Sequence, residues 1–302
     1  MKVLLLIDEK LSSKNQCEAL AEAISNKIPI IVKYIYLKNK LLDYLPNMFI
    51  YYYLYLLSFF TETNEEFDFI ISCGRKTAAF SIIKKKSNTI NIHILDPYIL
   101  RNRFDQIIVP EHDKGKLKVF PNITYTKGAL TKIKKTRFNT RKKKYICCLI
   151  GGSGKSSKII VNNILKLVKD MNSLSKKNYI VTYFFSRRTP LEVKSYICNN
   201  KNSCINCYPN KNQNPYYEFL NKSNYFFVTE DSIGMISDIL TTGRPLYLIE
   251  VLRVKSKIKL FSKTLIKQGF ARKYNNCVKE WSYKPFNESQ RVANLIINSY
   301  IE

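Results

Sequence analysis

Short apolar runs alternate with helical stretches along this chain, and the alternation restarts once. Val3 to Ile7 and Phe67 to Ser72 indicate buried strands, and Asn15 to Ile24 has helical spacing. Strands that alternate with helices usually pair in parallel and form an α/β layer structure. The fold class predicted is therefore α/β, with two Rossmann-like domains.

The stretch from Thr131 to Lys144 separates the two halves, because it is dense in basic residues and has few apolar ones. After it, a strand is predicted over Tyr145 to Ile150 and a helix over Lys158 to Met171. The predicted organisation is a domain over residues 1–140, a second domain over 141–285, and a terminal segment over 286–302. The helical spacing from Glu288 to Ile301 allows this last segment to pack back on the first domain.

A glycine-rich turn, Gly151-Gly152-Ser153-Gly154-Lys155, follows the strand that opens the second domain. A P-loop requires a glycine five positions before its Gly-Lys-Ser tail, and Leu149 occupies that position here. The sequence therefore does not encode a triphosphate-wrapping loop. It predicts a glycine turn that allows a phosphate to approach the backbone closely.

Three predicted strand ends in the second domain carry residues that can contact a phosphate. In open α/β sheets, ligands bind beyond the carboxyl ends of the strands, where helix N-termini present unpaired N–H groups. Each segment alone is explained well by ordinary capping and turn formation, and only the three together point to a nucleotide. The candidate nucleotide-binding residues are Gly151, Gly152, Ser153, Ser186, Arg187, Arg188, Thr189, Thr229, Ser232, Met235, Ser237 and Asp238. Glu230 and Asp231 would repel a phosphate, so at least one of them is expected to cap the helix and face away.

The first domain offers an anion-binding turn and a candidate general base. The turn comprises Gly74, Arg75, Lys76 and Thr77, and a basic capping turn is an equally good interpretation. His112 is the best candidate base, because an unperturbed histidine has a pKa near neutral pH and Asp113 could orient the ring. A surface histidine without a catalytic role is the competing interpretation. Asp96 is a weaker candidate for the same role.

The chain carries 50 Lys and Arg against 23 Asp and Glu, for a formal net charge of +27. Such an excess attracts nucleic acid, anionic lipid or phosphorylated substrates. A compositional bias towards Lys, Asn, Ile and Tyr explains part of it equally well. No motif that interleaves aromatic and basic residues is present, so nucleic acid is a disfavoured partner.

The eight cysteines are interpreted as buried, structural thiols in a reducing cytoplasm. Cys204 and Cys207 form a CxxC, but no second CxxC or neighbouring histidine completes a zinc site, so no metal is predicted. The N-terminus does not resemble a secretory signal.

No segment reaches the ~20 apolar residues that a membrane-spanning helix needs. The stretch from Met48 to Phe60 comes nearest, with 13 residues. A buried helix is the favoured interpretation. The alternative is a partly exposed helix that dips into an anionic membrane surface.

The stretch from Thr229 to Pro245 resembles the nucleotide-binding segment of GT-B glycosyltransferases. In those enzymes a carboxylate seven residues before a proline binds the ribose hydroxyls, and Asp238 stands seven residues before Pro245. The resemblance implies that Asp238 contacts a ribose, although a glutamate is usual there. It also implies that the two domains face each other across a cleft.

A resemblance over nearly the whole chain is to the "elongated mitochondria" (ELM-type) fission-protein family, whose bacterial members are GT-B-like. Its plant members take part in mitochondrial division. The motifs that carry it are the following segments of this sequence: Ser72–Ala78, Leu95–Pro97, Phe104–Asp105, Val109–Asp113, Thr126–Leu130, Leu149–Ser153, Ser186–Pro190, Asn214–Tyr216 and Thr229–Pro245. One departure concerns the first strand, after which the family has a histidine and this chain has Ser13.

Together these patterns predict a cytoplasmic glycosyltransferase, with an acceptor in the first domain and a nucleotide diphosphate-sugar in the second. Peripheral association with the inner membrane face is one candidate for its location. The acceptor is not identified, and a lipid-linked acceptor is one candidate. The nucleotide-sugar is a substrate, and no cofactor is expected. The alternative, which the role of the plant members in organelle division suggests, is a non-catalytic, membrane-associated scaffold that recruits a partner protein.

Overall fold

The computed structural model describes residues 1–37, 45–58, 65–116, 120–132, 144–210, 214–275 and 277–301. The chain divides into two compact units. Unit 1 comprises Met1–Lys132 and Asn287–Glu302, and unit 2 comprises Ile133–Phe286. Residues 133–143 of the predicted linker lie outside the described residues.

Unit 1 contains a parallel sheet with the strand order β2-β1-β3-β4-β5-β6. Its strands are β1 (Lys2–Asp8), β2 (Ile31–Leu37), β3 (Phe69–Cys73), β4 (Ile90–Ile94), β5 (Gln106–Pro110) and β6 (Ile123–Thr126). Its helices are α1 (Leu11–Ser25), α2 (Asn47–Ser58), α3 (Arg75–Lys84) and α9 (Glu288–Tyr300).

The central strands of unit 1 are apolar on both faces, as expected for a parallel sheet covered by helices on both sides. Every residue of β3 is buried. On one face Leu5 and Ile71 pack with Leu20 of α1 and with Val292 and Ile296 of α9. The C-terminal helix is therefore part of the core of unit 1.

Unit 2 repeats this architecture with the strand order β10-β9-β7-β11-β12-β14, again parallel. Its strands are β7 (Lys144–Ile150), β8 (Ser157–Lys158), β9 (Tyr179–Phe185), β10 (Asn206–Tyr208), β11 (Tyr225–Thr229), β12 (Leu246–Ile249), β13 (Arg253–Val254) and β14 (Arg272–Lys273). Its helices are α4 (Leu165–Ser175), α5 (Leu191–Asn200), α6 (Tyr216–Lys222), α7 (Ile233–Leu240) and α8 (Ser256–Lys267). The α/β class with two parallel sheets is confirmed.

One predicted element of unit 2 is wrong at its start. The helix predicted over Lys158 to Met171 is preceded by β8, which pairs antiparallel with β13, and by a 3-10 turn at Val161–Asn163. The helix itself begins only at Leu165. The glycine turn therefore does not lead directly into a helix N-terminus.

The helix α2 was expected to be buried, and the structure contradicts that expectation. Ile50 is 1% exposed and packs against Ala79 of α3. Phe49, Tyr53 and Leu56 are each more than 60% exposed. The part of this stretch that follows Ser58 lies outside the described residues.

Candidate functional site

Three adjacent strands of unit 2 bring three of the predicted segments to one edge of the sheet. β7 lies between β9 and β11, and all three strands run parallel. The segments that follow them are residues 151–154, 186–189 and 230–232. Because the carboxyl ends of parallel strands lie at the same edge, these segments are neighbours.

Hydrogen bonds link the three segments directly. The amide of Gly151 donates to Oγ1 of Thr229 over 2.7 Å. The amide of Gly152 donates to Oδ2 of Asp231 over 2.9 Å, and the amide of Ser153 donates to the carbonyl of Arg188 over 3.1 Å. The glycine turn is therefore bonded to the segments after both β9 and β11.

Close approach explains the two glycines at the start of the turn. A Cβ at position 151 would lie 2.3 Å from the carboxylate oxygens of Asp231. A Cβ at position 152 would lie 2.4 Å from the main chain of Arg188. The glycines thus allow three protein segments to pack together, a role that the sequence did not predict.

The same bonds occupy the amides that were predicted to meet a phosphate. The amide of Gly154 donates to the carbonyl of Ser157 over 2.9 Å, so the amides of residues 151 to 154 all have acceptors within the chain. The hydroxyl of Ser153 bonds with the backbone of Ile159. An anion contact at Gly151, Gly152 and Ser153 stays a prediction. It requires the amides of these residues to exchange their present acceptors for the anion.

The segment after β9 divides into structural and exposed side chains. The hydroxyl of Thr189 is buried and donates to the carbonyls of Ile150 and Gly151, over 2.9 and 2.5 Å. The hydroxyl of Ser186 lies 3.1 Å from that of Thr189. Arg187 and Arg188 are exposed, so these two side chains can reach an anion.

The helix α7 begins at the end of the segment after β11. The Ser232 side chain makes no capping bond, and the amide of Ile236 is the first to donate into the helix, to the carbonyl of Ser232. The first-turn amides of an α-helix lack intrahelical acceptors and carry the positive end of the helix dipole. Gly234 is exposed, with open space beside its Cα atom. An anion can therefore reach the backbone here.

Two other predicted residues of α7 differ in how they are used. The Ser237 hydroxyl is buried and donates to the carbonyl of Ile233 over 2.8 Å. Met235 is half-buried and packs against the core cluster of that side of the sheet. Ligand contacts of both stay predictions.

The paired carboxylates point to different places, and Asp231 is not the one that faces away. The buried Asp231 carboxylate faces the glycine turn instead of facing away. Burial raises its pKa, and the hydrogen bond from Gly152 and the charge of Arg188 oppose that rise. Glu230 accepts a long bond, 3.4 Å, from the amide of Val251. Asp231 thus occupies the position beside the turn that was expected for a phosphate.

Asp238 pairs with a residue that was not predicted for the site. Its Oδ2 accepts a 2.7 Å hydrogen bond from Oη of Tyr216, at the start of α6. Burial raises the pKa of Asp238 to about 7, although the Tyr216 bond opposes the rise. Tyr216 also packs edge-on against Phe184 of β9. The Asn214-Pro215-Tyr216 motif contained the signal for this residue, but spacing alone gave it no role.

The predicted anion site of unit 1 is largely occupied by its own contacts. Gly74 has φ +85° and donates its amide to the carbonyl of Ile94. The hydroxyl of Thr77 is buried and donates to the carbonyl of Gly74 over 3.0 Å. Lys76 is also buried, and Arg75 is exposed. An anion contact at Arg75 and Lys76 stays a prediction.

The candidate bases of unit 1 are placed differently from one another. Both carboxylate oxygens of Asp96 bond to Arg101, each over 2.9 Å, so Asp96 is a poor candidate for a free base. Nε2 of His112 lies 3.8 Å from Oδ2 of Asp113. That distance is too long for a hydrogen bond. The two side chains of the predicted pair are nevertheless neighbours.

The family model for the mitochondrial fission ELM1 proteins matches residues 13–300. The chain belongs to this family. A protein of Rickettsia prowazekii described as uncharacterized is 29% identical, and the alignment covers 98% of both chains. The mitochondrial fission protein ELM1 of Arabidopsis thaliana is 25% identical over 75% of this chain and 62% of its own length.

Solved structures with a similar fold include UDP-GlcNAc 2-epimerases and MurG. A UDP-GlcNAc 2-epimerase of Neisseria meningitidis, solved with UDP-GlcNAc, covers 99% of this chain and 100% of its own, with a TM-score of 0.53 and 12% identity. MurG of Acinetobacter baumannii covers 100% and 91%, with a TM-score of 0.54 and 8% identity. This ELM1-family chain therefore has a GT-B-like fold.

In this ELM1-family protein, Ser13 lies beside an acid that the sequence did not single out as a site residue. Oδ2 of Asp8 is buried without a hydrogen-bond partner among the described residues. It lies 3.6 Å from where a Cβ of Gly74 would be, and the Ser13 hydroxyl lies 3.7 Å from that point. The carboxyl ends of β1 and β3 thus place Asp8, Ser13 and Gly74 together.

The expectations about metals, membrane helices and thiols meet different outcomes. Within the described ranges, no group of three or more His, Cys, Asp or Glu side chains is placed to hold a metal. None of the helices described has both the length and the hydropathy to cross a bilayer. Cys198, Cys204 and Cys277 are exposed, which corrects the expectation of buried thiols for these three.

Proposed function

We propose that this protein is a GT-B-like glycosyltransferase that moves a sugar from a nucleotide diphosphate-sugar to an unidentified acceptor. A lipid-linked acceptor remains one candidate. The observation that supports the proposal is the hydrogen-bonded convergence of the segments at 151, 188 and 231 on one sheet edge in unit 2. The related folds include enzymes solved with UDP and with UDP-GlcNAc.

In the proposed site, the diphosphate lies against the first turn of α7 and the exposed side chains of Arg187 and Arg188. Helix N-termini and arginines stabilise charge that develops on a leaving diphosphate. Asp238 accepts a hydrogen bond from a ribose hydroxyl, and Tyr216 holds its carboxylate in place. The nucleotide-sugar is a substrate, and the reaction invokes no cofactor.

In unit 1, the proposed base deprotonates the acceptor hydroxyl. His112 with Asp113 fits this role better than Asp96, whose two oxygens already bond to Arg101. A histidine titrates near neutral pH, which suits a general base.

The test is nucleotide binding to the intact chain. UDP and GDP are titrated while the unfolding temperature is followed, because a ligand that binds only the native state raises its stability. Asp238→Ala and Arg188→Ala are expected to weaken binding about tenfold or more each. Lys267→Ala, on the exposed face of α8, is the matched control and should bind normally. Unchanged affinity in both site variants would refute the site.

A second candidate function is a non-catalytic scaffold on a membrane, at the cytoplasmic face. The exposed apolar side chains of α2, among them Phe49, Tyr53 and Leu56, favour it, since exposed apolar patches mark interaction surfaces. Tyrosines suit a membrane interface because each combines an apolar ring with a polar tip. Absence of any nucleotide-induced stabilisation, together with sedimentation on anionic vesicles that Phe49→Ser/Leu56→Ser abolishes, would favour the scaffold.

A further inference from the structure

Unit 2 contains a cationic cavity that shares Ser153 with the predicted nucleotide-binding residues but lies apart from the diphosphate position proposed at α7. A cavity of about 710 Å³ lies beside the turn at Ser153–Ile159. Cavities of a few hundred to ~1,000 Å³ are typical of small-molecule sites. Asp238, Tyr216 and the first turn of α7 are not among the residues that line it.

The charge of this cavity is strongly one-sided. Its lining includes five basic side chains and one acid, namely Lys155, Lys158, Arg253, Lys255, Lys259 and Glu192. All five basic residues are exposed. Within the described part of the chain, none of the five has a carboxylate within 4 Å.

The backbone holds two of these cations opposite each other. β8 pairs antiparallel with β13, and Lys158 lies directly across from Arg253. Like charges in directly opposed positions of an antiparallel pair destabilise it. The chain therefore accepts an electrostatic cost at this site, which a bound anion would relieve.

The site is also pre-organised. The amide of Leu252 donates to the carbonyl of Lys158 over 3.1 Å, and that of Lys255 donates to the carbonyl of Ser156 over 2.9 Å. The Ser157 hydroxyl is buried and donates to the carbonyl of Gly152 over 2.9 Å. These bonds fix the backbone that carries the charges. Binding of a ligand would therefore cost little conformational entropy of the protein backbone.

We propose that this cavity binds a ligand through a phosphate or diphosphate group, at a position separate from the first turn of α7 and Asp238. The phosphate can come from two sources. One is a free phosphorylated solute, and the other is the headgroup of an anionic lipid. Leu252 lines the cavity and is 54% exposed, so an apolar chain attached to the phosphate would have a contact.

The test uses inorganic pyrophosphate as the probe, titrated calorimetrically into the full chain in the presence of saturating UDP. The pocket variant is Lys158→Ala/Arg253→Ala. The matched control is Lys263→Ala/Lys267→Ala, which removes the same charge from exposed positions on α8 outside the cavity lining. Pyrophosphate should bind the wild type and the control equally, and the pocket variant about tenfold or more weakly.

The second arm replaces pyrophosphate with phosphatidylcholine vesicles that contain or lack phosphatidic acid. If the control sediments with the acidic vesicles and the pocket variant does not, the lipid headgroup is the source. If only pyrophosphate shows the difference, the source is a solute. Equal behaviour of pocket variant and control in both arms, or displacement of pyrophosphate by UDP, would overturn the proposal.

A third measurement separates an anion site from a merely structural role. Without ligand, the pocket variant should unfold at a higher temperature than the wild type, because the two opposed like charges are removed. A lower unfolding temperature would contradict the electrostatic cost of the Lys158 and Arg253 pair. Asp238→Ala should bind pyrophosphate as the wild type does whether or not it loses UDP, so failure of the nucleotide proposal would be distinguishable from failure of this one.

Discussion

Each unit carries an ionisable side chain whose charged form is disfavoured by its surroundings, a base in unit 1 and an acid in unit 2. In unit 1, His93 of β4 is fully buried, and its Nδ1 lies 2.7 Å from the Ser72 hydroxyl. Burial lowers its pKa to about 3. In unit 2, burial raises the pKa of Asp238 to about 7. In both cases the folded protein disfavours the charged form.

The two units should therefore respond to pH in opposite directions. A neutral histidine must take up a proton when the chain unfolds in acid, whereas a protonated aspartic acid must release one when the chain unfolds near neutral pH. Unit 1 should gain stability as pH rises, and unit 2 should lose it, over overlapping ranges. The single tryptophan of the chain, Trp281, lies in unit 2, so its fluorescence reports on unit 2 alone.

The largest expected effect is the acid sensitivity of unit 1. Because the folded pKa of His93 lies below the ordinary value of about 6.5, unfolded chains bind more protons between about pH 3 and 6.5. The stability of unit 1 should fall by at most on the order of 5 kcal/mol as pH is lowered through this range. His93→Gln should flatten the dependence, as measured by hydrogen exchange of peptides from β3 and β4. If the stability of unit 1 still depended on pH in His93→Gln, another titratable group would be responsible for that dependence.

The next effect concerns the glycine turn of unit 2. Gly152→Ala forces a Cβ to within 2.4 Å of the Arg188 main chain. The clash is relieved only if the segments after β7 and β9 move apart. We therefore expect the free energy of unfolding to fall by about 3 kcal/mol. Denaturant unfolding followed by Trp281 fluorescence measures it. A loss below about 1 kcal/mol would show that the three segments are not tightly packed.

Gly74 provides the contrast in unit 1. A Cβ there meets nothing closer than 3.6 Å, so Gly74→Ala is not blocked by contact. Its φ of +85° with ψ of 166° belongs to a region that is open essentially to glycine alone, and strain of this kind costs about 1–3 kcal/mol. The same substitution thus acts through crowding in unit 2 and through the backbone in unit 1.

A smaller effect than that of His93 is expected from Asp238, because this residue is half-buried whereas His93 is fully buried. Its folded pKa lies above the ordinary value of about 4, so the folded state retains a proton that unfolded chains release between about pH 4 and 7. The stability of unit 2 should fall as pH rises through this range and stay level above it. Asp238→Asn should remove the decline in Trp281-detected unfolding. An unchanged decline would mean that Asp238 is ionised in the folded protein.

Much of the fold could be predicted because the strands of a parallel sheet are apolar on both faces. The runs at Val3 to Ile7 and Tyr145 to Ile150 correspond to β1 and β7, with ends shifted by one residue. The pair β8 and β13 could not be found, because each strand has only two residues, joined across almost a hundred positions. Burial of α2 was predicted wrongly, since an apolar sequence does not say whether other elements cover it.

The candidate site was predictable as a set of positions but not as a set of contacts. Strand order places the segments at 151, 186 and 230 together, and the sequence pattern indicated all three. Spacing could not show that Asp231 turns towards Gly152 or that Tyr216 reaches Asp238, because both depend on tertiary packing. Spacing also could not show that Lys155 and Arg253 line one cavity, because that too depends on tertiary packing.

The smallest effect tests the open side of the same sheet edge. Gly234 in the first turn of α7 is exposed, and nothing lies within 4 Å of the point that a Cβ would occupy. Glycine in a helix is less favourable than alanine by up to about 1 kcal/mol, so Gly234→Ala should stabilise unit 2 by that amount or less. Denaturant unfolding followed by Trp281 fluorescence gives the value, with Gly152→Ala as the crowded counterpart. If Gly234→Ala were destabilising, the space in front of α7 would be closed, and an anion could not reach the first-turn amides there.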